Sequence, residues 1–160
     1  MMGAPIVAVL FDLDGTLVDR GRGDRRGPPT ACANGPVASA VLAVSRLCRL
    51  GIVSDGSAAR QRAKLAASGL AALMSVVVIS AEVGAQKPAA KIFQHALAEL
   101  GSPAGQTLFV GDDLPRDIHG ARAAGLKTCW VSHGRPLPPT EPAPDLIVET
   151  VADLPEALRC

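Results

Sequence analysis

Tyrosine is absent, and the 160 residues hold only one tryptophan and three phenylalanines. A core must therefore be assembled from Ala, Val, Leu and Ile. Neither sign of charge dominates: sixteen Lys and Arg stand against fifteen Asp and Glu, for a net charge of +1. A chain so balanced has no bulk field for nucleic acid or another polyanion. No apolar run reaches the roughly eighteen residues that span a membrane. Cys32, Cys48, Cys129 and Cys160 form no C-x-x-C pair and no Cys/His cluster at zinc spacing, which argues against a sulfur-bound metal and a disulfide framework. The apolar start, Met1 to Phe11, lacks a basic n-region and a small-residue cleavage site. It reads as a buried first strand rather than a signal peptide, and a cytoplasmic protein is expected.

What is present is enough for one domain over residues 1–160. The composition is 48% hydrophobic and 19% charged, which excludes a disordered chain. Short apolar runs alternate with helical stretches. The strands expected are Pro5–Phe11, Ile52–Ser54, Val76–Ser80, Thr107–Val110 and Leu126–Val131, with an edge strand at Leu146–Val148. Helices are expected over Val37–Leu50 ended by Gly51, from Ser57 to Ser68 closed by Gly69, from Pro88 to Leu100, over Pro115–Ala124, and around residues 151–158. Residues 20–36, rich in Gly, Pro and Arg, read as an irregular loop. The alternation implies an α/β fold, a doubly wound three-layer Rossmann-like parallel sheet. In such sheets chemistry sits at the carboxyl ends of the strands.

The polar residues fall at those ends. The first strand runs into Asp12-Leu13-Asp14-Gly15-Thr16, two carboxylates two positions apart and so on one side of an extended chain. A calcium loop does not fit, because Leu10 and Gly21 would occupy ligand positions. The second strand ends at Ser54, followed by Asp55 and Gly56, a hydroxyl with backbone N–H groups at a helix start, which suits an anion. The third leads to Lys87-Pro88. The fourth ends Gly111-Asp112-Asp113, with Asp117 one helical turn on. Like-charged carboxylates ~4 Å apart repel by on the order of 1 kcal/mol in water and ~4 at an effective dielectric of 20. Gathering Asp12, Asp14, Asp112 and Asp117 therefore calls for a cation, and oxygen-only ligands point to Mg²⁺.

These four motifs in order resemble those of the haloacid dehalogenase superfamily of aspartate-nucleophile hydrolases. The resemblance covers the chain except residues 20–36. It implies a Mg²⁺-dependent phosphatase in which Asp12 attacks phosphorus to form an aspartyl-phosphate and Asp14 serves as general acid and base. Ser54 and Lys87 would bind phosphoryl oxygens, with Asp55 and Gly56 beside them, and Lys87 would also restrain Asp12. The metal would be held by Asp12, the Asp14 carbonyl and Asp112, with Asp117 supporting that shell. Asp14 favours phosphatase over dehalogenase, because the dehalogenases that named the superfamily lack this second acid.

Two departures stand out. Relatives carry a helical cap domain after the first motif, yet only about twenty residues separate Leu17 from Val37. The cap is expected to be absent or vestigial, leaving an open site. Such a site suits a phosphorylated small molecule or macromolecule, or one covered by a neighbouring subunit of a homo-oligomer. The alternative is a catalytically impaired remnant or binding partner that keeps the fold; a phosphomutase would need a lid. Asp55 replaces an Asn common in relatives and reads as a helix-terminus acid. The run Arg20 to Arg26 carries four of the twelve arginines and reads as a solvated loop. His95, His119 and His133 read as surface or loop positions, and Trp130 as packing beside the fifth strand.

Overall fold

A computed structural model describes residues 3–19 and 33–159. In chain order its main elements are β1 (Ala8–Phe11), α1 (Gly35–Ser45), β2 (Arg49–Ser54), α2 (Ala58–Ser68), β3 (Val76–Ile79), α3 (Ser80–Val83) and α4 (Ala90–Leu100). They continue with β4 (Thr107–Gly111), α5 (Gly120–Ala123), β5 (Lys127–Val131), β6 (Leu146–Val148) and α6 (Leu154–Ala157). The six strands are all parallel, in the order β3-β2-β1-β4-β5-β6. The order reverses between β1 and β4, the switch point where such sheets open a crevice.

Alternation along the strands makes the three layers. Val9 and Phe11 of β1 pack with Val37, Val41 and Val44 of α1, Leu65 of α2 and Leu154 of α6 on one face. Ala8 and Leu10 face the other way, onto Ile92, Phe93, Ala96 and Leu100 of α4 and Ala121 of α5. With so few aromatics, the pair Phe93–Phe109 fills the second layer edge to face, ring centroids 5.1 Å apart. The doubly wound three-layer expectation holds. Among the described residues, no helix is long and apolar enough to cross a membrane.

Several boundaries differ from expectation. The first strand starts at Ala8, not Pro5; Pro5 has no N–H for the ladder, and the first cross-strand bond is Val7 N to Gln106 O at 2.9 Å. The helix expected over Val37–Leu50 ends at Ser45, and Arg49 and Leu50 already pair with Ala8 and Val9. Gly51 is therefore no helix terminator. It lies inside β2, where a Cβ would come within 2.7 Å of Leu10 Cδ2. The expected loop 20–36 also yields at its far end: Asn34 caps α1 by accepting from Val37 N at 2.8 Å, and Gly35 and Pro36 are helical. Residues 20–32, with the Arg20–Arg26 run, lie outside the described residues.

The register sets the site. Phe11 lies opposite Val110 on one side and Ile52 on the other, so Asp12, Asp112 and Ser54 emerge from one end of the sheet.

Candidate active site

Asp12 follows the last residue of β1 and is held in line by its N–H, which donates to Val110 O at 2.9 Å. Its Oδ1 accepts from Lys87 Nζ at 2.9 Å, and the same ammonium reaches Asp117 Oδ1 at 2.6 Å. All three side chains are buried, Asp117 completely. The Asp12 Oδ2 has no protein hydrogen bond and is not among the fully buried unpartnered atoms, so it stands open to solvent. Burial pushes the Asp12 carboxyl up to about 7 against the pull of Lys87, with Asp117 and Asp112 adding to the rise. Burial likewise raises Asp117, opposed by Lys87. Burial alone would lower Lys87, but Asp12 and Asp117 outweigh it and hold the ammonium above its usual range. The crevice expected to need an external cation thus carries one of its own.

Lys87 arrives through a cis peptide to Pro88, and its backbone N–H donates to Asp55 Oδ1 at 3.0 Å. Asp55 is therefore not a bare helix-terminus acid: its carboxylate ties the end of β2 to the loop that carries Lys87. Gly56 departs from expectation as well, since its N–H donates to Ser80 Oγ at 2.9 Å instead of standing open to an anion.

Asp117 reaches the site because the backbone widens after β4. Residues Leu114–His119 form a π-helical turn in which Ile118 N donates to Asp113 O, five residues back. Asp117 Oδ2 then accepts from Asp113 N at 3.1 Å. Only glycine fits above it: a Cβ at Gly111 would lie 2.3 Å from Asp117 Oδ2 and 2.5 Å from its Cβ. Gly111→Ala is expected to displace the Asp117 carboxylate and to cost ~1–3 kcal/mol of stability by overpacking, read from urea midpoints. Its activity should fall further than Gly105→Ala, where an added Cβ meets nothing within 4 Å.

Carboxylate oxygens of Asp12, Asp112 and Asp117 all lie within 4.8 Å of one another. Ligand oxygens around an octahedral Mg²⁺ at ~2.1 Å stand ~3–4 Å apart, so this donor set fits a small hard cation. The turn after β1 adds a donor. Gly15 N bonds Val18 O, while Thr16 N, Leu17 N and Val18 N all turn to Leu13 O, and no described residue donates to the Asp14 carbonyl.

Asp14 itself diverges from Asp12. Its side chain does not join the acidic cluster but leans onto α2, where Oδ1 meets Lys64 Nζ at 2.8 Å and Oδ2 meets Gln61 Nε2 at 2.9 Å. The same Gln61 nitrogen donates to Ser54 Oγ at 2.6 Å. The expectation of two carboxylates on one side of an extended chain fails because the chain turns at Leu13. Gln61 and Lys64 escaped the sequence reading. Gln61 carried one signal, since it shares the inward stripe of α2 with Leu65 and Ser68.

A second missed group lies beyond β5. Trp130 Nε1 and Arg135 Nη2 both donate to Asp112 O, at 3.0 and 2.8 Å, and the guanidinium stacks over the Trp130 ring at 5.2 Å. Trp130 thus does more than pack: it holds the backbone of a site residue. His133 adopts φ 51° and its Nε2 donates to Gly15 O at 2.6 Å, pinning the β5 loop to the β1 turn. It is no loose loop position. Asp112, Asp113, Leu114, Pro115, His133 and Arg135 line a cleft of about 450 Å³ beside the acidic cluster.

Sheet order and site together define a Rossmann-like α/β protein with a lysine-clamped aspartate at its strand-order switch. The sequence profile of the haloacid dehalogenase-like hydrolases matches residues 40–131. The chain belongs to that family. It is 37% identical over 131 residues to the pyrimidine 5'-nucleotidase YjjG of Escherichia coli, covering 81% of this chain and 58% of that protein. It is 41% identical over 116 residues to the phosphoserine phosphatase of Thermus thermophilus, covering 71% and 46%. The chain spans about half the length of these curated relatives. Among solved structures, the HAD phosphatase of Thermococcus onnurineus superposes with a TM-score of 0.83 at 23% identity, covering 96% of this chain and 98% of that one. The magnesium-bound HAD-hydrolase YfnB of Bacillus subtilis gives 0.84 at 19%, covering 98% and 100%. At these identities the structural likeness speaks for the fold alone.

Proposed function

We propose that this protein is a Mg²⁺-dependent phosphatase that hydrolyses phosphate monoesters through an aspartyl-phosphate on Asp12. The observation that carries this reading is the asymmetry of the Asp12 carboxylate, with Oδ1 clamped by Lys87 and Oδ2 unpartnered and open to solvent. A nucleophile needs one oxygen fixed and one free. Two curated relatives, a nucleotidase and a phosphoserine phosphatase, support phosphate ester chemistry.

Asp12 Oδ2 attacks phosphorus as the bond to the leaving oxygen breaks, dividing hydrolysis into two displacements. The leaving oxygen takes a proton from Asp14, which later accepts one from the water that cleaves the acyl phosphate. Lys87 and the Ser54 hydroxyl bind phosphoryl oxygens. Asp12, Asp112 and the Asp14 carbonyl would hold Mg²⁺, with Asp117 beneath them, and bound there it would offset phosphoryl charge. Asp14 reaches the leaving oxygen once its contacts with Lys64 and Gln61 open. Only about twenty residues separate Leu17 from Val37, a length that suits an uncapped crevice which substrate would approach from solvent.

Phosphate release from para-nitrophenyl phosphate tests the proposal. Turnover is expected with Mg²⁺ and should vanish in EDTA, returning when Mg²⁺ is restored. Turnover that persists in EDTA would sink the metal-dependent mechanism; a folded, Mg²⁺-binding protein with none would favour the non-catalytic alternative.

A further inference from the structure

Gln61 is 3% exposed, on a helix that contributes no family motif residue, and its amide nitrogen sits between the side chains of two such residues. Gln61 Nε2 donates to Asp14 Oδ2 at 2.9 Å, while the other oxygen of that carboxylate, Oδ1, meets Lys64 Nζ at 2.8 Å. That nitrogen also donates to Ser54 Oγ at 2.6 Å. A serine hydroxyl that accepts from an amide must direct its own proton elsewhere. No described residue takes that proton, and Ser54 closes β2 at the sheet edge from which Asp12 and Asp112 also emerge.

We infer that Gln61 is a positioning residue that sets the polarity of Ser54, holding its hydroxyl as a donor toward the phosphoryl oxygen while it ties the same amide to Asp14. Gly56 supports the assignment independently. Its φ is +138°, and a Cβ there would meet Gln61 Cγ at 3.1 Å, Cδ at 3.2 Å and Oε1 at 3.4 Å. The turn after β2 is thus shaped around this amide. The donor N–H of Gly56 is spent on Ser80 Oγ and does not compete with Ser54 for the anion. Lys64, one turn along α2, holds the other Asp14 oxygen at 2.8 Å. Phosphoryl binding at Ser54 and the acid–base group are therefore coupled through one helix face.

The inference rests on the phosphatase reading for its meaning but not for its test. Inorganic phosphate binding is measured by calorimetry with Mg²⁺ present, for the wild type, Gln61→Glu and Gln61→Met, beside urea midpoints. Glutamate at 61 accepts the Ser54 proton instead of donating, so affinity should fall about ten- to a hundredfold, the loss of a charge-assisted hydrogen bond. Methionine leaves the hydroxyl free to rotate and should lose less, a few-fold. Where wild-type turnover is measurable, KM should rise more in Gln61→Glu than in Gln61→Met, a split that a packing role would not produce. If Gln61→Glu does not fold, Gln61→Met against wild type decides alone. Equal phosphate affinity in the folded proteins overturns the inference, as does a wild type that binds no phosphate. A wild type that binds phosphate with the expected Gln61 dependence yet hydrolyses nothing removes the phosphatase reading and keeps this one.

Discussion

Asp12→Asn is expected to abolish turnover of para-nitrophenyl phosphate, a loss of about 10⁴-fold or more, on the scale seen when a covalent nucleophile is removed. The same substitution should stabilise the metal-free protein at neutral pH. The folded Asp12 carboxyl is raised from 3.8 to about 7, chiefly by burial. A group whose folded pKa is raised contributes stability that is fully present below pH 4 and is lost as pH climbs toward 7. Every tenfold change in proton affinity is worth about 1.4 kcal/mol, so the variant's advantage should grow from near zero at pH 4 to a few kcal/mol at pH 8. Added Mg²⁺ should reverse the order, stabilising the wild type more than the variant, because Asp12 is one of the proposed ligands. Urea unfolding at three pH values, with EDTA and with Mg²⁺, reads all of this. A variant that hydrolyses at the wild-type rate would end the mechanism.

Lys87→Met is expected to be the most destabilising single change at the site. Lys87 is the one cation within 3 Å of both Asp12 and Asp117 among the described residues. Removing it leaves buried carboxylates facing one another, and loss of one partner from a buried ion pair costs ~3–5 kcal/mol. In EDTA the penalty should be largest at pH 7.5 and shrink toward pH 5, where the acids take up protons without an ammonium to oppose them. Lys87 itself titrates far above this window, so its own ionisation contributes nothing to the trend. Mg²⁺ should restore part of the stability and none of the turnover. A penalty independent of pH would mean that Lys87 matters for packing alone, through its aliphatic stem and its contact with the Phe109 ring at 5.6 Å.

The two predictions expose a division of labour. The Lys87 ammonium neutralises about one carboxylate's worth of charge, yet three carboxylates converge. A divalent cation there would offset more of that charge, and the metal-free protein is expected to lose stability as pH rises through neutrality. The second half of the site, built from Ser54, Asp14, Gln61 and Lys64, carries its own cation and its own amide bridge. In the proposed mechanism one half would serve a metal and the nucleophile, the other a phosphoryl oxygen and a proton.

Much of this was legible in the residues alone. Continuous apolar runs ending in Asp12, Ser54 and Gly111-Asp112 reveal buried parallel strands and the edge of the sheet that bears chemistry, because each run stops where its polar residue starts. The motifs at those ends resemble those of the family, and the profile match over residues 40–131 bears the resemblance out. What the sequence could not carry was direction. Asp12 and Asp14 differ by two positions, yet a turn at Leu13 sends one carboxylate to Lys87 and the other to α2. Asp55 looked like a helix-terminus acid and instead braces the backbone of Lys87, 32 residues away. Helix α1 ended five residues early because Arg49 and Leu50 found a ladder partner in β1, a non-local pairing that outweighs local helical periodicity. The roles of Gln61, Lys64, Trp130, His133 and Arg135 emerged only from tertiary structure, since each acts through contacts with residues distant in the chain or across a turn. Residue type and order determined which chemistry is possible here; the packing of α2 and the β5 loop decided which atoms of that chemistry are held, and which are left free.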